Sequence, residues 1–145
     1  MNPQLSYREA AVRGASPVRL VVLLYEQVIE DVQRALAAFK RGDIEGRTRE
    51  INHAILVIGH LQASLNKDVG GQVAANLEHF YRQMREGLVE AQCQQSAALL
   101  EQQISHLMLV HEAWCAVERS TLPAAAETPQ VPVEAGKRVS RGWSA

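Results

Sequence analysis

The chain has 145 residues, 47% of them hydrophobic and 21% charged, with a formal net charge of −1. That is ordinary globular composition and one domain's worth of chain, long enough to bury a core without disulfide or metal staples. A net charge so near zero projects no field of either sign, which excludes nucleic acid and anionic membrane as default partners. The apolar run Leu20 to Tyr25 is too short to cross a bilayer, so no stable membrane insertion is expected.

The opening Met1-Asn2-Pro3-Gln4-Leu5 has neither the basic stretch nor the apolar core of a secretory signal. Cys93 and Cys115 lie far apart, in no metal-binding spacing, and read as reduced thiols. A cytosolic chain is the expectation. Residues 1–15 carry Leu5, Tyr7, Ala11 and Val12, enough for a turn or two of helix before Gly14. A segment that short is marginal in water, so an N-terminal arm is expected that docks on the rest of the chain or stays mobile.

Ser16 and Pro17 then open the first long helix. The serine hydroxyl can accept from an unpaired N–H of the first turn, and proline suits the first helical position. Val21, Leu24, Val28, Val32, Ala35, Leu36 and Phe39 share one face at helical spacing, and Val18, Val22, Tyr25 and Ile29 form a second apolar stripe beside it. A helix apolar on two faces is either central in a bundle or half core and half binding surface. Lys40, Arg41 and Gly42 suit its C-terminal end.

Asp43 caps a second predicted helix, 44–65, with Ile51, Ala54, Ile55, Ile58, Leu61 and Leu65 inward and Arg47, Arg49, Glu50 and Gln62 left for solvent. The pair Gly70-Gly71 ends the next connection. A third helix, 72–92, carries Val73, Leu77, Phe80, Tyr81, Met84, Leu88 and Ala91. Ser96 caps a fourth, 97–118, with Leu100, Ile104, Leu107, His111, Trp114 and Val117. Nothing alternates with period two. The fold class is all-α, an antiparallel up-down four-helix bundle over 16–119, preceded by the arm at 1–15 and followed by a flexible, disordered Pro/Ala-rich tail at 120–145.

Glu50 and His53 make one Glu-x-x-His, the spacing of di-iron bundles, but that site needs a second copy and further inward carboxylates, which are missing. His53 reads as a partly exposed histidine and His111 as a core or boundary histidine with one hydrogen bond. The run His60-Leu61-Gln62-Ala63-Ser64 is a near miss to histidine phosphotransfer bundles, with Gln62 and Ala63 standing where those have lysine and glycine. No nucleophile–base pair or phosphate-binding glycine loop is present. The expectation is a non-enzyme with no catalytic, cofactor or metal site.

The assembled residues resemble FliS, the family of flagellin-specific export chaperones. The resemblance rests on Tyr7, Ala11-Val12, Ala15-Ser16-Pro17, Leu20, Leu24-Tyr25-Glu26, Gly42-Asp43-Ile44, Ser64-Leu65-Asn66, Gly70-Gly71, Asn76-Leu77, Tyr81, Met84, Leu88, Ala91 and Trp114, in order and spacing. It implies a cytosolic bundle that binds the disordered C-terminal segment of flagellin, prevents premature polymerisation, and delivers the segment to a component of the flagellar type III export gate without using ATP. Other flagellar regulators stand as further partners. The resemblance also implies that the arm lies over the client groove and moves aside, with Tyr7 and Val12 in the lid and Leu20, Leu23, Leu24, Tyr25 and Ile29 as groove-wall candidates. The alternatives are a helical regulatory adaptor without an export role and, behind it, the phosphotransfer bundle.

Overall fold

The computed structural model describes residues 16–65 and 67–130; the arm at 1–15, with Tyr7 and Val12, and residues 131–145 lie outside the described residues. The described chain forms α1 (Pro17–Lys40), α2 (Ile44–Ala63), α3 (Lys67–Gln94) and α4 (Ala97–Gln130). Each helix packs on its neighbours in sequence, and α1 also closes on α4. The contacts run in antiparallel register. Residues near the start of one helix meet residues near the end of the next, as Arg47 with Gln92 and Arg19 with Glu118 show. This is the expected up-down bundle.

Local chemistry sets the helix ends. The Arg19 N–H donates to Ser16 Oγ at 3.1 Å, the Gly46 N–H to Asp43 Oδ1 at 2.9 Å and the Leu99 N–H to Ser96 Oγ at 3.1 Å. α1 stops in a Schellman turn: Asp43 N–H donates to Ala38 O and Gly42 N–H to Phe39 O, with Gly42 at φ +75°. α3 is broken at Gly71, whose φ of 56° and ψ of −129° suit only glycine. A single turn at 67–70 therefore precedes the main helix, which starts where the spacing predicts. α4 runs on to Gln130, ten residues past the expected boundary at Ser120, through the helix-forming run Ala124-Ala125-Ala126-Glu127.

The core is one cluster. Tyr25, Val28, Val32 and Ala35 of α1 pack with Ile51, Ala54, Ile58 and Leu61 of α2, with Tyr81, Met84 and Leu88 of α3, and with Leu100 and Leu107 of α4. Three sequence-based placements need correction, the first being Val117, placed on the apolar stripe of α4 but 43% exposed near the end of the bundle. Arg47 is buried rather than left for solvent, because its guanidinium sits over the Phe39 ring at 5.5 Å and its Nε donates to Gln92 Oε1 at 2.9 Å. Val73, placed on the inner face of α3, is 66% exposed, because it follows directly on the break at Gly71.

Candidate binding surfaces of the bundle

The wide apolar face of α1 is mostly consumed by the bundle. Leu23, Leu24 and Tyr25 are buried, while Leu20 and Ile29 are half-buried and packed against the core. Tyr25 is fully enclosed. It lies across the middle of the bundle from Tyr81, hydroxyl to hydroxyl at 3.0 Å, with ring centroids 6.1 Å apart. Burial pushes the Tyr25 phenol far above its usual range, with the neighbouring Tyr81 adding to the shift. Both rings stay neutral, and each hydroxyl finds in the other the partner that a buried tyrosine needs. Leu24 belongs to the core cluster too, whereas Val22 and Leu23 are as deeply buried but lie outside it.

A second polar device sits between α1 and α2. Asp31 is buried, accepts from Gln27 Nε2 at 2.8 Å, and shares a 2.5 Å hydrogen bond with His53 Nδ1. Burial raises the Asp31 carboxyl above its ordinary value, the His53 and Gln27 hydrogen bonds pull it back in part, and Glu50 adds to the rise. His53 Nε2 is buried with no hydrogen-bond partner. The Glu-x-x-His at Glu50 and His53 is thus absorbed in packing. His111 sits at the α1–α4 boundary with Nε2 3.1 Å from Glu26 Oε2, and Cys115 Sγ lies 3.5 Å from the same nitrogen. His60 is exposed, and Gln62 beside it accepts from Arg85 of α3.

The large apolar side chains that do face solvent are elsewhere: Ile44 and Leu56 on α2, Val73 and Val89 on α3, and Met108, Leu109 and Val117 on α4. Two recesses lie between the helices, and of these side chains only Val89 lines either. A groove of about 560 Å³ between α2 and α3 is lined by Ile55 and Val89 with Gln62, Arg82, Arg85, Glu86 and Glu90. A cleft of about 200 Å³ between α3 and α4 is lined by Phe80, Gln83, Met84, Gln103 and His106. Spacing arguments did not reach these surfaces, because they sort residues into core stripe and remainder. Of the apolar lining of the recesses, Ile55, Phe80 and Met84 are stripe residues, and Val89 is the one off the stripe.

Among the described residues no group of three or more His, Cys, Asp and Glu could hold a metal ion, and no helix is long and apolar enough to cross a membrane. What the fold presents is a helical scaffold with apolar recesses between its helices. Residues 1–121 match the family described as flagellar protein FliS. The chain is 35% identical over 106 residues to the flagellar secretion chaperone FliSB of Pseudomonas aeruginosa, covering 73% of this chain and 84% of that one. It is 31% identical over 107 residues to the flagellar secretion chaperone FliS of Salmonella typhimurium, covering 73% and 79%. The FliS of Bacillus subtilis shares 24% identity over 113 residues, covering 78% and 84%. The chain belongs to the FliS family of flagellar secretion chaperones.

Proposed function

We propose that this chain binds the disordered C-terminal segment of flagellin in the cytosol, keeps it from polymerising, and delivers it to a component of the flagellar type III export gate, without catalysis. The observation that carries the reading is the family match over residues 1–121 together with relatives named as flagellar secretion chaperones. The geometry supports it: recesses between packed helices suit apolar anchors of a segment that folds as it binds. Residues 1–15, with Tyr7 and Val12, act as a lid over the client groove. Leu20 and Ile29 form the wall that the client reaches, and the buried Leu24 and Tyr25 hold that wall in place. Isothermal titration with the C-terminal segment of its own organism's flagellin tests this. Saturable 1:1 binding with a large negative heat-capacity change is expected. A folded protein that gives no heat and no shift on a sizing column would overturn it and return the helical adaptor as the reading.

A further inference from the structure

The groove of about 560 Å³ between α2 and α3 is polarised along its length. Arg82 and Arg85 line one half and Glu86 and Glu90 the other, all four exposed. The apolar lining goes with the acids. Val89 stands beside Glu90, half exposed, and the contacts Arg47–Gln92 and Gln62–Arg85 place Ile55 of α2 opposite the stretch of α3 between Arg85 and Gln92. Between Ile55 and Gln62 the α2 wall is Gly59, where an added Cβ would meet nothing within 4 Å, so another surface can approach closely there. Arg82 and Glu86 are one turn apart, the spacing at which a helix pairs opposite charges. Yet no ion pair joins any of the four to a group among the described residues. Arg85 donates to Gln62 and Glu90 accepts from Gln94, both uncharged amides.

A groove that is basic in one half, and acidic and apolar in the other, is complementary to a copy of itself turned end for end. An antiparallel twofold passing between Arg85 and Glu86 sets Arg85 of each copy against Glu86 of the other, and Arg82 against Glu90. The same register lays the aliphatic stems of the arginines on Val89 and Ile55 of the second copy, while their charged heads reach the carboxylates. A net charge of −1 lets two copies approach with little repulsion. We propose that two copies of this chain pair through the α2–α3 groove, antiparallel and twofold-symmetric, with the Arg82–Arg85 half of each against the Glu86–Glu90 half of the other. Such a pair is closed, with no face left over to propagate. Its charges stay near solvent, so the association is weak, reversible and sensitive to salt. The groove lies across the ring from the α1–α4 seam, and the pairing does not depend on the proposed function.

Sedimentation equilibrium of the full chain tests this. At low ionic strength the wild type is expected to dimerise with a dissociation constant on the order of 100 μM, and high salt is expected to weaken it roughly tenfold. Arg85→Glu and Glu86→Arg each set like charges face to face and are expected to stay monomeric over the same range. A 1:1 mixture of the two variants restores both Glu–Arg contacts and is expected to form a heterodimer, which only a twofold register explains. Both positions are exposed, so the thermal midpoint of each variant is expected to stay near that of the wild type. Single variants that pair as the wild type does overturn the proposal, as does a mixture that remains monomeric. A wild type that is monomeric up to about 1 mM overturns it too. Val89 methyl resonances that then shift on addition of the flagellin C-terminal segment would give the groove to the client instead.

Discussion

The α1–α2 seam and the α3–α4 seam belong to one bundle and are built differently. Between α1 and α2 the packing is the most extensive in the ring, with Ala35, Ala38 and Ala54 fully buried and a polar pair, Asp31 and His53, enclosed. Between α3 and α4 it is the least extensive, with the Gln103 amide packed on Gly87 and a cleft beside it. Close packing makes the first seam intolerant of change, whereas a seam with space and spare hydrogen-bonding capacity can admit another chain. One half of the bundle holds the fold, and the other can yield.

The sharpest way to break that comparison is truncation in each half. Tyr25→Ala removes a fully buried ring and orphans the Tyr81 hydroxyl, and is expected to cost about 3–5 kcal/mol, read as a lower urea midpoint. Gln103→Ala, in the loose seam, is expected to cost under about 1 kcal/mol, since its amide has no bond to lose. Equal losses would mean that the two seams carry the fold alike.

Asp31 gives the next largest effect. Asp31→Ala leaves neither His53 ring nitrogen bonded and is expected to cost about 2 kcal/mol. The same residue makes the sealed seam pH-sensitive. Burial holds the folded carboxyl above its ordinary value, so the native state keeps a proton that the unfolded chain has lost. That contribution is complete below the ordinary carboxylate value of about 3.9 and is lost as pH rises through the folded value. Stability measured against pH just above that point should therefore slope downward more steeply in wild type than in Asp31→Asn. A variant with the same slope would place the linkage elsewhere.

The helix ends were the most legible part of the sequence. Ser16-Pro17, Gly42-Asp43 and Ser96 act through hydrogen bonds three or four residues away, so their chemistry is written locally. The core stripe was legible for the same reason, since Val28, Ile58, Met84 and Leu107 repeat at helical spacing. Partners across helices were not. Asp31 with His53, and Tyr25 with Tyr81, depend on the register between helices, which spacing within one helix does not contain. Arg47 reads as a surface charge until Phe39 and Gln92 are seen beside it. Gln103 reads as a surface amide by type, although its separation from Leu100 and Leu107 places it on the core stripe.

The smallest effect sharpens the comparison at the turns that close the two seams. α3 ends as α1 does, with Ser96 N–H donating to Ala91 O and Gln95 N–H directed at Gln92 O. The left-handed position is Gly42 in the first turn, at φ +75°, and Gln95 in the second, at φ +51°. A side chain there costs about 1–2 kcal/mol, partly offset by the entropy that glycine would lose on folding. Gln95→Gly is therefore expected to stabilise the protein by about 0.5 kcal/mol, raising the midpoint with no change in the slope of the transition. Gly42→Ala should do the reverse at the sealed seam, with nothing within 4 Å of the added methyl, so backbone strain is its whole cost. If Gln95→Gly instead destabilises, the glutamine side chain is holding the α3–α4 connection, and that seam is less free to open than its cleft implies.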